Sequence, residues 1–195
     1  RARAAGMLVI ADEVQPGFGR TGQHMWGYQR HGIAPDLVTM GKPMGNGHPL
    51  AGLCARQELL DAFGRETRYF NTFGGNTVSA AVGMAVLDVI LEPGFLEQVR
   101  ATGDRLRASL EQLIPNHDQL FDSVRGMGLM LGLKLKHDSR AFVAHLRDNH
   151  GLLAVAAGDN VVRILPPLNI DESHIAECIE KLSAGAASFA LPTAA

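Results

Sequence analysis

Two residues of this chain have the types and positions needed for covalent chemistry on a carbonyl compound. Lys42 lies in the loop 40–47, whose sequence is MGKPMGNG. Asp12 comes thirty residues earlier, directly after the apolar stretch 7–11. The chain has four lysines, and the other three lie in ordinary strand or helix patterns. Lys42 and Asp12 are therefore the first candidates for a reactive site.

A lysine opposite a strand-end carboxylate is what imine chemistry on pyridoxal phosphate requires. The ε-amine of Lys42 would form a Schiff base with the cofactor aldehyde, and a buried Asp12 would keep the pyridine nitrogen protonated. Asp12 is expected at the carboxyl end of a parallel strand, where open α/β sheets bind ligands. Two simpler interpretations stay open, Lys42 as a surface lysine and Asp12 as a residue that caps a turn.

The composition is that of an ordinary α/β protein. Of the 195 residues, 46% are hydrophobic and 19% charged, and the net charge of −2 gives no reason to expect nucleic acid or a membrane surface as partner. No apolar run approaches the length of a membrane span. Cys54 and Cys178 have no metal-type spacing, and the histidines match no zinc pattern. We expect two free thiols in a reducing cytoplasm and no metal site.

The apolar patterns predict an α/β fold in two parts. A fully buried strand is expected at 7–11, followed by strands at 37–40 and 50–55, a helix at 57–64, an irregular segment at 69–76 and a long buried helix at 78–91. Beyond Pro93-Gly94 we expect an amphipathic helix at 95–114, a strand or hairpin at 121–135, a helix at 139–149, strands at 152–156 and 161–165, and a helix at 171–187. The predicted domains are 1–92 and 93–190, with a tail at 191–195.

Four motifs appear in an order that identifies a family. They are DEVQPGFGRTG at 12–22, PDLVTMGK at 35–42, NTFGGN at 71–76 and VRILPPL at 162–168. Together they resemble the class III aminotransferases, which are fold type I pyridoxal phosphate enzymes. The resemblance implies the C-terminal part of a longer enzyme, with part of the large domain followed by a small α/β C-terminal domain.

The resemblance also implies how the cofactor would be held. Lys42 would carry the Schiff base, and Asp12 would pair with the pyridine nitrogen. Val14 would pack under the ring, and Gln15 would reach the phenolic oxygen. Thr72 looks like the threonine that binds the cofactor phosphate of the neighbouring subunit, which implies a homodimer. A simpler interpretation, in which Thr72 starts a turn, stays open.

Arg163 is the candidate for holding substrate. It lies in the apolar stretch 161–165, where a charge must face a partner, and a guanidinium suits a carboxylate. In the family the matching arginine grips the substrate carboxylate. The alternative is an internal salt bridge.

Two prolines and one absent loop depart from the family pattern. Pro16 removes a backbone donor near Gln15, and Pro43 biases Lys42 away from helical angles. The glycine/serine-rich loop that cradles the cofactor phosphate has no match in this chain. We therefore expect the chain alone to bind cofactor poorly.

The leading hypothesis is a transaminase that moves an amino group between an amino acid or ω-amine and a keto acid such as 2-oxoglutarate. The segments up to about residue 85 resemble the branch of alanine–glyoxylate aminotransferase 2 and the phospholyases, whereas the later segments resemble acetylornithine aminotransferases. Three alternatives stay open: a phospholyase acting on an amino-alcohol phosphate, an inactive fragment, and a nicotinamide-dependent oxidoreductase built on the glycines of 17–22.

Overall fold

The computed structural model describes residues 1–191 of the chain. The chain folds into two compact units, residues 1–96 and a second unit that begins at Glu97. The domain boundary predicted between residues 92 and 93 falls just before this division and stays a prediction. Of the predicted tail at 191–195, residues 192–195 lie outside the described residues.

The first unit is built on a three-stranded sheet with the order β1-β2-β3. Its strands are β1 (Ile10–Asp12), β2 (Leu37–Met40) and β3 (Gly52–Ala55). β1 and β2 are parallel, with Asp12 opposite Thr39, and β3 runs antiparallel to β2. Two helices follow, α1 (Gln57–Glu66) and α2 (Thr77–Ile90). The predicted strand at 37–40 and the predicted irregular segment at 69–76 are confirmed.

The expectation that the first strand is fully buried is wrong for this chain. Met7 and Ile10 are 62% and 61% exposed, and only Ala11 of the predicted strand is buried. The long helix is also largely exposed, since only Gly83 and Ile90 of α2 are buried. A parallel strand is buried on both faces only when helices cover both sides of its sheet. The apolar patterns of the strand and of α2 therefore indicated surfaces that are suited to burial. They did not indicate whether other parts of this chain bury those surfaces.

The second unit is an antiparallel sheet packed against helices. Its elements are α3 (Phe95–Leu113), β4 (Phe121–Met127), β5 (Met130–Leu135), α4 (Ser139–His150), β6 (Val155–Ala157), β7 (Val161–Ile164) and α5 (Glu172–Ser188). The strand order is β4-β5-β7-β6. β4 and β5 form a hairpin, which confirms the period-two pattern predicted at 121–135.

The core of the second unit lies between the sheet and its helices. Its fully buried side chains come from α3, the hairpin, α4, β7 and α5, and include Val99, Leu106, Leu110, Phe121, Leu131, Leu133, Phe142, Leu146, Val162 and Leu182. Gly103 of α3 lies so close to the hairpin turn that a Cβ would meet the Gly128 carbonyl oxygen at 2.5 Å. The helix can approach the turn because position 103 carries no side chain.

Three general expectations concern thiols, metals and membranes. Cys54 and Cys178 are both free, and burial raises the pKa of the Cys178 thiol to about 11. Within residues 1–191 no group of three or more metal-ligating side chains comes together. In the same part of the chain no single helix is long and apolar enough to cross a membrane, although α2 and residues 95–117 taken together have the required length and composition.

α2 packs closely on the segment that carries Lys42, which we call the lysine loop (residues 41–50). A Cβ on Gly83 would lie 2.9 Å from Leu50 Cδ2 and 4.0 Å from the Met44 carbonyl oxygen. His48 Nε2 also lies 2.8 Å from Ser79 Oγ of α2. The helix therefore supports the lysine loop through close packing and a hydrogen bond.

Each of the helices α2, α4 and α5 begins at a polar residue whose side chain accepts backbone N–H groups. Asn76 Oδ1 caps α2 and Asp138 Oδ1 caps α4. Asp171 Oδ1 accepts the backbone N–H groups of Ser173 and His174, which confirms the predicted cap of α5. Hydrogen bonds from the Ser173 hydroxyl and from His174 hold the pKa of the Asp171 carboxyl well below its ordinary value of 3.8.

Replacing Asp171 by alanine should lower the melting temperature near neutral pH, since α5 loses its cap. The folded pKa of Asp171 is depressed, so the stabilisation is fully present above the unfolded value near 3.8 and is lost as pH falls through the folded value. The melting temperatures of wild type and Asp171→Ala should therefore converge on acidification. Asp171→Asn is the matched control, because asparagine also caps helices. Equal melting temperatures for wild type and Asp171→Ala at about pH 7 would contradict the assignment.

Replacing Gly83 by valine should destabilise the first unit by about 1–3 kcal/mol, because the new side chain must displace Leu50. Gly64→Val in α1 is the matched control, since a Cβ at that helix position meets nothing within 4 Å. Denaturant unfolding of both variants measures the difference. Equal effects of the two substitutions would show that α2 does not support the lysine loop as described.

Candidate active site

The carboxyl ends of β1 and β2 form the edge of the sheet that carries the two reactive candidates. Asp12 is the last residue of β1 and lies opposite Thr39 in the parallel pair. Lys42 follows Thr39 by three residues, at the point where the chain leaves β2. Parallel strands end at the same edge, so the pairing of β1 with β2 brings the aspartate and the lysine loop to one side of the sheet.

The expectation that Asp12 is buried is wrong for this chain, because the exposed face of β1 carries its side chain. Neighbours from β2 and from the loop after β1 orient the carboxylate. Its Oδ1 accepts the backbone N–H of Val14 at 3.1 Å and the Thr39 hydroxyl at 3.3 Å. One bond comes from the loop after β1 and the other from β2. Together these two bonds hold the carboxylate at the sheet edge.

Lys42 begins a short 3₁₀ helix, Lys42–Gly45, and its side chain is exposed. Its φ is +37°, in the left-handed region that disfavours residues with a Cβ. Pro43 disfavours right-handed helical angles at Lys42, but the extended region that a following proline favours is not the one that Lys42 adopts. Backbone strain of this kind costs about 1–3 kcal/mol and occurs preferentially at functional sites.

Val14 and Gln15 follow Asp12 in the loop after β1. The Val14 methyl groups lie 3.8 Å from the position that a Cβ on Gly41 would take, so Val14 contacts the residue before Lys42. Gln15 is exposed on the surface of the same loop. Pro16 packs against Gly27, where a Cβ would meet Pro16 Cβ at 2.8 Å. The departure at Pro16 is therefore accommodated by a glycine.

Glu13 is a buried carboxylate that the sequence reasoning missed as a candidate. It is 2% exposed, and its Oε2 and Oε1 accept the backbone N–H groups of Gly27 and Tyr28, both at 2.8 Å. The available signal was strand alternation, which turns adjacent side chains to opposite faces. A carboxylate next to Asp12 on the buried face needs hydrogen-bond donors, and the sequence did not reveal which backbone groups supply them.

Thr72 lies outside the three strands of this sheet. It is exposed in the segment between α1 and α2. The turn around it is held by Asn71 Oδ1, which accepts the backbone N–H groups of Phe73 and Gly74. Phe70 and Phe73 are 86% and 84% exposed, so two large aromatic side chains flank the threonine at the surface.

Arg163 lies in the second unit, on β7. It pairs with Gly132 of β5 and Val155 of β6, and its side chain is half-buried. Val162 and Ile164 are buried, so the alternation of the strand places Arg163 on the face opposite the helices. The guanidinium therefore projects from the face of the sheet that the core does not use.

The glycine-rich segment 17–22 lacks the context of a dinucleotide site. It forms consecutive turns in which Phe18, Gly19 and Gly22 have positive φ, and no helix follows it directly. Phe18 is buried and packs edge-on against Trp26 with ring centroids 5.0 Å apart. The glycines here serve tight turns, which argues against the nicotinamide-dependent alternative.

The chain is similar to known proteins along almost its whole length. The profile of the family described as aminotransferase class-III matches residues 2–185. An acetylornithine aminotransferase of Mesorhizobium japonicum is 42% identical over 185 residues, covering 95% of this chain and 46% of that protein. The ethanolamine-phosphate phospho-lyase homolog 1 of Caenorhabditis elegans is 40% identical over 194 residues, covering 92% of this chain and 41% of that protein.

Solved structures show the same relationship. A phospholyase from Arthrobacter in complex with phosphoethanolamine superposes with a TM-score of 0.88 at 41% identity, covering 97% of this chain and 47% of that one. The chain thus spans about half the length of the relatives it matches. The α/β fold predicted from the sequence, part of a fold type I enzyme, is confirmed. The chain belongs to the class III aminotransferases, a family of enzymes that depend on pyridoxal 5′-phosphate.

Proposed function

We propose that this chain supplies the lysine-bearing part of a transaminase that moves an amino group between an amino acid or ω-amine and a keto acid such as 2-oxoglutarate. The observation that supports this is the placement of Asp12 and the lysine loop at the ends of two adjacent parallel strands. The Val14 methyl groups lie near Gly41 of the lysine loop. An anion, an apolar side chain and an amine on one edge form the donor set that a pyridinium ring with an aldehyde requires.

In the proposal Asp12, Val14, Gln15 and Lys42 hold pyridoxal 5′-phosphate. The cofactor, when bound, supplies an aldehyde and an electron-accepting ring. Asp12 holds a proton on the ring nitrogen, and its bonds from Val14 and Thr39 keep the carboxylate in place for that task. Val14 provides an apolar surface for the ring, and Gln15 reaches the phenolic oxygen.

Lys42 acts as both nucleophile and proton carrier in this proposal. Its Nζ would hold the cofactor through the aldehyde and would release it to an amino donor. The freed amine would then carry a proton as general base and general acid. The Lys42 side chain is exposed near the start of the lysine loop, at a residue with positive φ.

Arg163 and Thr72 complete the proposal. Arg163 grips the carboxylate of the amino acid or keto acid, for which a planar guanidinium on the sheet face opposite the helices is suited. Thr72 binds the cofactor phosphate of a second subunit, and the exposed Phe70 and Phe73 beside it supply apolar surface for that contact. We infer a homodimer with shared sites in the cytoplasm.

Lys42→Ala should abolish turnover of amino donor by the protein, since no other residue at the sheet edge supplies an amine nucleophile. Borohydride reduction with added cofactor should label Lys42 in the wild type, as peptide mass spectrometry would detect. Lys136→Ala, at an exposed lysine of the second unit, is the control and should retain label and activity. Normal turnover by Lys42→Ala would overturn the assignment.

A phospholyase is the second candidate function. The observation that favours it is the 41% identity to the Arthrobacter phospholyase, whose structure contains phosphoethanolamine. Phosphoethanolamine has no carboxylate, so a substrate of that kind leaves Arg163 without the group that it would grip. The acetylornithine aminotransferase relatives favour the transaminase at similar identity.

Arg163→Gln should separate the two candidates. For a transaminase it should raise the KM of a carboxylate-bearing amino donor about 10- to 100-fold, because a charge-assisted bond is lost. Coupled assays with wild type and variant, with and without keto acid, measure this. Release of inorganic phosphate from phosphoethanolamine without any keto acid, unaffected by Arg163→Gln, would decide for the lyase.

A further inference from the structure

Glu13 is a buried carboxylate whose two oxygens are both used to hold main chain. It is 2% exposed, and each oxygen accepts one backbone N–H, from Gly27 and from Tyr28. Asp36, another buried carboxylate of the first unit, is instead paired with Arg3 and Arg56. Burying a carboxylate is costly unless strong hydrogen bonds compensate. The hydrogen bonds from two consecutive backbone amides at the start of the 3₁₀ helix Gly27–His31 offset the cost of burying Glu13.

The backbone of Glu13 is held from two further directions. Its N–H donates to the Thr39 carbonyl at 2.9 Å, which extends the pairing of β1 with β2 beyond Asp12. Its carbonyl accepts the N–H of Gly17 at 3.1 Å. Residue 13 therefore connects the sheet edge, the loop after β1 and the segment 27–28. A displacement of the Glu13 side chain would therefore also move the backbone of the residues next to it.

Two glycines allow the segments around Glu13 to approach this closely. A Cβ on Gly17 would lie 2.6 Å from the Glu13 carbonyl oxygen and 3.1 Å from the Trp26 ring. A Cβ on Gly27 would lie 2.8 Å from Pro16 Cβ and 3.4 Å from Glu13 Oε2. Neither position has room for a side chain. The packing leaves the loop 13–17 little freedom as long as the carboxylate keeps its two amides.

Asp12 and Glu13 face opposite sides of the same strand end. Asp12 Oδ1 accepts the N–H of Val14, the residue that follows Glu13. The peptide that joins Glu13 to Val14 thus carries the N–H that orients Asp12. Fixing the Glu13 side chain fixes this peptide.

We propose that Glu13 is a positioning residue that orients Asp12 by clamping the backbone amides of Gly27 and Tyr28. This rests on the proposed function, in which Asp12 serves the ring nitrogen. Glu13 itself touches neither cofactor nor substrate in this role. Its effect on them passes through the backbone of residues 13–14.

The test is amide hydrogen exchange of the cofactor-free chain, resolved by residue with NMR. Glu13→Gln keeps the size of the side chain but replaces one acceptor oxygen by an N–H₂ group that must face a backbone N–H. Exchange at Gly27 or Tyr28 should accelerate at least about 10-fold, and exchange at Val14 should accelerate with it. Glu66→Gln, at the exposed end of α1, is the matched control and should change none of the three.

The Val14 amide is the decisive probe, since its exchange reports on the hydrogen bond to Asp12 rather than on the bonds from Gly27 and Tyr28 to Glu13. Acceleration at Gly27 or Tyr28 with Val14 unchanged would reduce Glu13 to a structural contact and overturn the proposal. Unchanged exchange at all three amides would do the same. If circular dichroism shows that Glu13→Gln does not fold, the same exchange is measured in Gly27→Ala. This variant keeps the Glu13 carboxylate, and its new methyl group displaces the Gly27 amide through contact with Pro16.

Added pyridoxal 5′-phosphate separates this proposal from the proposed function. The chain alone is expected to bind cofactor poorly, so the cofactor is titrated to a large excess. Wild type should then show visible absorbance of bound cofactor, and Glu13→Gln should weaken binding about 10-fold or more and shift the pH midpoint of that absorbance. Wild type without absorbance or a borohydride-fixed adduct would count against the proposed function alone, while exchange at Val14 still decides the role of Glu13. Unaltered binding and midpoint in Glu13→Gln would overturn the positioning role.

Discussion

The parallel pairing of β1 with β2 is the constraint on which the candidate site depends. It sets Asp12 opposite Thr39, and Thr39 in turn donates its hydroxyl to the Asp12 carboxylate. Because the two strands run in the same direction, the chain leaves both at the same edge, and Lys42 follows within three residues. A shift of the register would move the lysine loop relative to the carboxylate.

Glycines at points of close approach support both loops at this edge. On one side Gly83 lets α2 approach the lysine loop, while His48 bonds Ser79 of that helix. On the other side Gly17 and Gly27 let the loop after β1 close around Glu13. Glycine at such positions permits contacts that any side chain would prevent. The lysine loop, which contains the positive φ of Lys42, is held by this packing.

Much of the fold could be predicted from local pattern. The hairpin at 121–135 alternates with period two, Asp171 precedes an amphipathic helix, and both features form as expected. Burial could not be predicted in the same way, since it depends on what covers an apolar surface. Ile10 is exposed and most of α2 is exposed for that reason. Glu13 was missed because its donors, Gly27 and Tyr28, are main-chain groups distant in sequence.

The sequence by itself determined the family and the order of the elements, because motifs and apolar periodicity are local properties of a chain. It identified Lys42 and Asp12 as candidates but did not determine how the main chain holds them. Only the tertiary structure decided that Asp12 is oriented by Val14 and Thr39 and that Glu13 clamps the following loop. The physical reason is that hydrogen bonds between distant segments depend on strand register and close approach, which no local pattern encodes.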